Sequence, residues 1–342
     1  MQEYSFQLPT PFPLESGDAL AGAHVAYSTW GQLNATRDNV VWVCHALTAN
    51  ADVLDWWPGL FGEGYFFDPA DWFIVCANVL GSCYGSTCPL DPDPATGVGR
   101  FQEFPLLTIR DIAAAHEALR QELGLTYIHT LIGGSMGGQQ ALEWAVSQPE
   151  LFGHLVVIAT SARHSAWGIA FNEAQRLAIE ADATYHESRP GGGDAGLAAA
   201  RAVALLSYRG YDAYLATQTE PDDNRLRDFR ASSYQRYQGD KLVARFDAYS
   251  YVVLTRAMDS HNIGRGRGGV AAALASIRAR TLVLGITSDV LFPLVEQREI
   301  ANGIPGAVYG ELDSSFGHDG FLLDTAKITQ ALEVFYAAAL AE

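Results

Sequence analysis

Residues 131–138 read Leu131-Ile132-Gly133-Gly134-Ser135-Met136-Gly137-Gly138, an apolar run ending in a serine flanked by glycines. Tyr127 to Ile132 has the β-branched, apolar character of a buried parallel strand, and Gln139 to Ala145 is rich in helix formers. Gly133-x-Ser135-x-Gly137 on strand, turn and helix is the signature of a sharp turn that exposes a nucleophilic hydroxyl. Small neighbours are needed because the turn brings backbone atoms close to the flanking side chains. An ordinary Gly/Ser turn is the plainer reading of the pentapeptide, and the surrounding pattern favours the nucleophile. Upstream, Thr108 to Leu123 predicts a helix with Ile112, Ala115, Leu119 and Leu123 on one face, stopped at Gly124, so the surroundings are βαβ-like.

Other apolar runs read as strands of the same sheet: Val40–Val43, Trp72–Cys76, Leu155–Ile158 and Thr281–Ile286. Helical patterns separate most of them, which predicts an α/β fold with a mostly parallel sheet covered by helices on both faces. Between Ile158 and Thr281 the spacing far exceeds the ~10–20 residues a crossover needs, so an insertion must fill it. Ala166–Ala183, Ala195–Ser207 and Ala248–Met258 predict helices there, which suggests a helical lid over the end of the sheet. The expected division is a first core part at 1–162, a lid at 163–280 and a second core part at 281–342. Gly264-Arg265-Gly266-Arg267-Gly268-Gly269 suits either a phosphate contact or a flexible linker, and the linker is the commoner use of such a segment. A last helix is expected over Thr325–Leu340.

The chain has 342 residues, 49% of them hydrophobic, enough to bury a large core. No run approaches the ~20 apolar residues of a membrane helix, and Met1-Gln2-Glu3-Tyr4 lacks the basic start of a signal peptide. A cytoplasmic enzyme is the default expectation. With 39 acidic against 22 basic residues the formal charge is −17, which disfavours nucleic-acid and membrane-surface roles. Cys44, Cys76, Cys83 and Cys88 form no CxxC pair, so a zinc site is disfavoured and reduced, uninvolved thiols are expected.

A serine hydroxyl is a weak nucleophile at neutral pH and requires a base, usually histidine, and a carboxylate that holds the base's tautomer. On a sheet with this turn the chain order is serine, acid, histidine. Asp289 follows the Thr281–Ile286 strand, and His318, between Gly317 and Gly320, is the only histidine after His261. Each alone reads equally well as a strand terminator or a surface loop residue; in this order and on these elements they complete a triad. His45-Ala46-Leu47-Thr48 follows the Val40–Val43 strand, where the second oxyanion N–H is expected. Leu47 and Met136 are therefore the expected backbone donors, with His45 packing beneath the loop. His116, His129 and His154 read as structural.

Taken together, Cys44-His45-Ala46-Leu47-Thr48, Asn78 to Thr87, Gly133 to Gly138 continuing through Ala141-Leu142-Glu143-Trp144-Ala145, Ala170-Phe171-Asn172-Glu173 with Arg176, Arg245-Phe246-Asp247-Ala248, Ser288-Asp289 with Leu291-Phe292-Pro293, and Gly317-His318-Asp319 closely resemble the homoserine O-acetyltransferases, members of the α/β-hydrolase superfamily. The resemblance spans nearly the whole chain. It implies an α/β-hydrolase fold, a Ser135–Asp289–His318 triad, an acetyl-CoA co-substrate, an acetyl-serine intermediate and L-homoserine as acceptor in methionine biosynthesis. It also assigns the homoserine carboxylate to Arg176 and its amino group to Asp319. Charge logic agrees that a zwitterion needs one fixed cation and one fixed anion, although Arg176 also reads as an ordinary surface arginine. Succinyl-transferring relatives carry arginine where this chain has Leu291, so Leu291 implies acetyl. A homodimer through the lid helices is implied as well, with no metal or tightly bound cofactor. Alternatives are a serine O-acetyltransferase, a homoserine O-succinyltransferase, an esterase without the amino-acid clamp, and a non-catalytic scaffold.

Overall fold

The computed structural model describes residues 2–339. Its main sheet has eight strands in the order β1-β4-β6-β5-β7-β8-β9-β10, where β1 is Gln2–Gln7, β4 His24–Trp30, β5 Val40–Cys44, β6 Phe73–Ala77, β7 Ile128–Gly134, β8 Phe152–Ile158, β9 Arg280–Ile286 and β10 Val308–Leu312. A small hairpin of β2 (Phe12–Pro13) and β3 (Ala19–Leu20) stands apart. β1 and β4 run antiparallel to their neighbours, and from β6 to β10 all pairings are parallel. The five strands expected from apolar runs are all present. β5 and the second halves of β7, β8 and β9 are buried on both faces, which is why they read as continuous hydrophobic stretches. Two hydrophobic clusters fill the two faces, one containing Trp42, Leu131 and Trp144, the other Val43, Ile132, Phe321 and Phe335.

The edge strands escaped the sequence reading for a physical reason. β1 exposes five of its six residues, and β10 buries only Leu312, so neither shows an apolar run. The helix Ile109–Glu122 matches its expected span, with Thr108 and Asp111 closing a reciprocal capping box at its start. The C-terminal helix runs from Thr325 to Ala339, and its expected end at Leu340 lies outside the described residues.

Between β8 and β9 the chain is largely helical. The expected helices appear as Ala166–Glu180, Asp194–Tyr208 and Ala248–Asp259, joined by Tyr211–Gln218, Arg230–Val243 and Val270–Ala275, which periodicity did not reveal. Tyr211–Gln218 buries none of its residues, so no apolar stripe marks it. The segment 264–269 is not the loose linker expected. Arg265 pairs with Glu15 at 2.8 Å and Arg267 with Glu143 at 2.6 Å. Arg110 bridges the same two carboxylates at 2.6 and 2.8 Å. Glu143 is 2% exposed, so its charge requires these cations, and the arginines tie the end of the insertion to the core.

Candidate active site

Ser135 sits where β7 turns into the helix Met136–Ser147, with φ 57° and ψ −127°, a conformation costly for a residue with a side chain. The flanking glycines make the turn possible. A Cβ on Gly133 would lie 2.3 Å from the Gly137 carbonyl oxygen, and one on Gly137 would lie 2.0 Å from that of Cys44. The strained residue is pinned from both sides, its N–H donating to the Ile158 carbonyl (3.0 Å) and its carbonyl accepting from Thr160 Oγ1 (2.7 Å).

Asp289 and His318 reach Ser135 from two loops at the carboxyl ends of β9 and β10. Asp289 Oδ1 accepts the N–H groups of Leu291 and Phe292 (2.8 and 3.0 Å), which orients the carboxylate. Oδ2 accepts from His318 Nδ1 at 2.7 Å, and His318 Nε2 lies 2.8 Å from Ser135 Oγ. An ionised carboxylate only accepts, so the ring proton sits on Nδ1 and Nε2 is free to take the serine proton. Phe292 and Phe321 flank the imidazole at centroid distances of 5.2 and 5.3 Å. The three groups of the relay are 3–6% exposed, and Ser135 and His318 line the cavity where a substrate would receive the proton.

Met136 supplies the first N–H of its helix, one of the four that have no acceptor within the helix. Leu47 lines the cavity in front of Ser135, and among the described residues its N–H donates to no protein acceptor. Two such amides beside a nucleophile can stabilise a developing oxyanion. Beneath the loop, His45 is fully buried, accepting from the Val79 N–H with Nε2 (3.1 Å) and donating to the Ala46 carbonyl (2.8 Å). Burial lowers its pKa to about 4, so it is a neutral structural support. Gln140 extends that support, donating to the His45 carbonyl and accepting from His116.

The cavity has a volume of about 450 Å³ and is walled by the 46–50 loop, Ser135, His318 and residues of the insertion. Arg176 is not part of it. Its guanidinium is buried 5% exposed within the insertion, bonded to Asp259 at 2.5 Å and Glu173 at 2.6 Å, so its charge is already satisfied. Asp319 does line the cavity, and burial raises its pKa although Arg209, at 2.8 Å, and Arg201 act against that. Leu291 is 5% exposed, outside the cavity wall, and serves Asp289 through its backbone.

Arg201 is the residue that sequence reasoning missed. It lines the cavity from the helix Asp194–Tyr208, its guanidinium 5.5 Å from the Tyr208 ring, which in turn lies 5.8 Å from the imidazole of His318. Among the described residues no carboxylate lies within ion-pair distance of it. A signal existed, because Arg201 is the only charge between Asp194 and Arg209 in an Ala/Leu-rich run. A lone cation in an apolar helix calls for a partner.

A family model described as the alpha/beta hydrolase fold matches residues 39–325. Over 336 residues the chain is 48% identical to homoserine O-acetyltransferase of Cyclobacterium marinum, an alignment covering 98% of this chain and 95% of that protein. The enzyme of the same name from Chlorobaculum parvum is 49% identical over 333 residues, covering 95% and 92%. Among solved structures, homoserine O-acetyltransferase from Staphylococcus aureus superposes with a TM-score of 0.80 at 32% identity, over 98% of this chain and 94% of that one. Esterase E22 superposes with a TM-score of 0.89 at 22% identity, over 98% and 99%, a likeness of fold. With 48–49% identity to the first two over 95–98% of its length and an alpha/beta hydrolase family model matching residues 39–325, the chain belongs to the homoserine O-acetyltransferase family of the α/β-hydrolase fold.

Proposed function

We propose that this chain transfers an acetyl group from acetyl-CoA to the side-chain hydroxyl of L-homoserine, a step of methionine biosynthesis, through an acetyl-Ser135 intermediate. The observation that carries the reading is the Ser135–His318–Asp289 relay opening onto a cavity that also holds Arg201 and Asp319. Ser135 Oγ attacks the thioester carbonyl while His318 Nε2 takes its proton; the C–S bond breaks and the thiolate of CoA leaves with that proton. The Leu47 and Met136 N–H groups receive the oxyanion. Homoserine then gives its hydroxyl proton to His318 and attacks the ester, and the proton returns to Ser135 as the C–O bond breaks.

Arg201 binds the carboxylate of the acceptor and Asp319 its ammonium. This replaces Arg176 in the first role, because Arg201 lines the cavity with no carboxylate of its own, whereas Arg176 lies outside it and is paired with Asp259 and Glu173. The reading of Leu291 as favouring acetyl over succinyl rests on the family resemblance alone, because its side chain does not line the cavity. Two copies associate through the insertion, a reading supported by exposed Leu206, Tyr211, Leu215, Leu226, Phe229 and Tyr237.

Thiol release from acetyl-CoA with a panel of acceptors tests the activity. Release that depends on homoserine and yields O-acetylhomoserine is expected. Preference for serine, or release independent of any acceptor, would replace the reading with serine acetylation or with hydrolysis.

A further inference from the structure

The chain carries 39 acidic against 22 basic residues, yet the cavity wall holds Arg201, Arg209, Lys241 and Arg245 against two carboxylates, Asp55 and Asp319. A net positive lining in a molecule of formal charge −17 gathers anions where the rest of the surface repels them. The four cations are not equivalent. Arg209 is neutralised by Asp319, and Arg201 is half-buried beside Tyr208, close to the reacting groups.

Lys241 and Arg245 are exposed, Lys241 in the last turn of the helix Arg230–Val243 and Arg245 just beyond it. Among the described residues no carboxylate lies within ion-pair distance of either. Arg245 nevertheless does not wave in solvent. Its Nη1 donates to the Thr48 carbonyl at 2.5 Å and to the Tyr84 hydroxyl at 2.7 Å, which fixes the guanidinium at the mouth of the cavity. A cation held in place loses less side-chain freedom when an anion arrives.

We propose that Lys241 and Arg245 form a phosphate subsite at the cavity mouth, holding the nucleotide phosphates of the acyl donor while its thioester reaches Ser135. The inference rests on the acyl-CoA reading above and adds to it which end of the donor meets which wall. The guanidinium supplies a planar fork and the ammonium a point charge, a combination suited to phosphate oxygens. Both groups stand in water, so they act on donor capture and its salt dependence rather than on the acyl-transfer step.

The test compares acetyl-CoA with acetyl-pantetheine, the same thioester without phosphates, in the wild-type chain, Lys241→Ala and Lys241→Glu, with homoserine as acceptor. Lys241 is chosen because removing Arg245 would also release the Thr48 carbonyl next to Leu47. The KM for acetyl-CoA is expected to rise roughly threefold in Lys241→Ala and roughly tenfold in Lys241→Glu, with the KM for acetyl-pantetheine changing by less than about twofold. The decline of kcat/KM for acetyl-CoA with salt should be shallower in both variants. An unchanged KM for acetyl-CoA in Lys241→Glu, or equal losses with the two donors, overturns the phosphate subsite and leaves acyl transfer standing. Failure of the wild-type chain to acetylate homoserine with either thioester overturns both.

Discussion

Replacing each of two arginines by alanine separates acceptor recognition from structural support. Arg201 is half-buried, faces the cavity and has no carboxylate partner among the described residues, whereas Arg176 is 6% exposed at its side chain and bonded to Asp259 and Glu173. A hydrogen bond to a charged group contributes about 1.5–3 kcal/mol, so losing a two-point contact with the homoserine carboxylate costs about 3–6 kcal/mol. Partial exposure of Arg201 lets water compensate, which places Arg201→Ala at the lower end, roughly a 100-fold fall in kcat/KM for homoserine. Arg201→Lys keeps the charge without the fork and should lie between wild type and alanine. Formation of the acetyl-enzyme from acetyl-CoA, followed as the first-turnover burst of thiol, should stay within about twofold of wild type in both variants. Arg176→Ala instead leaves Asp259 half-buried without its cation, which costs about 3–5 kcal/mol of folding stability and lowers Tm, with the KM for homoserine unchanged in the folded protein. A large rise in homoserine KM for Arg176→Ala, together with an unaffected Arg201→Ala, would refute the assignment of the carboxylate site.

Gly137→Ala forces a methyl group to within 2.0 Å of the Cys44 carbonyl oxygen, a backbone atom that cannot swing away. Denaturant unfolding should show a loss of about 3 kcal/mol or more, and a stable, fully active variant would contradict the turn geometry. Burial raises the Glu296 carboxyl from 4.5 to about 7, opposed in part by the Ser165 hydroxyl. The folded state therefore keeps a proton that the unfolded chain has lost, so stability falls as pH rises from 4.5 to 7 and stays low above that. Glu296→Gln removes the penalty. Because the group is partly exposed, the expected gain at pH 8 is on the order of 1 kcal/mol, vanishing near pH 4, and a gain independent of pH would show that another cause operates.

The central parallel strands and the nucleophile turn were legible because burial on both faces leaves unbroken apolar runs, and because the close approaches at Gly133 and Gly137 admit no side chain. The order of Ser135, Asp289 and His318 along the chain was legible for a topological reason: the acid and base stand on loops at the carboxyl ends of neighbouring parallel strands. Strands β1 and β10 were not, since an edge exposed to water needs no apolar pattern. Arg176 and Arg201 show where pattern reading stops. Both are arginines on helices of the insertion, and only the folded chain decides which guanidinium meets a carboxylate of its own and which faces the cavity. The Gly/Arg segment fails similarly, because its partners Glu15 and Glu143 lie over a hundred residues away in sequence.

The account stands on Ser135 becoming an acetyl ester, and rapid quenching of the full chain with acetyl-CoA, followed by peptide mass analysis, tests that directly. One acetyl group on the peptide containing Ser135, removed when homoserine is added before the quench and absent in Ser135→Ala, is the predicted result. A Ser135→Ala chain that still acetylates homoserine, or an acetyl group found on another residue and discharged by homoserine, would contradict it.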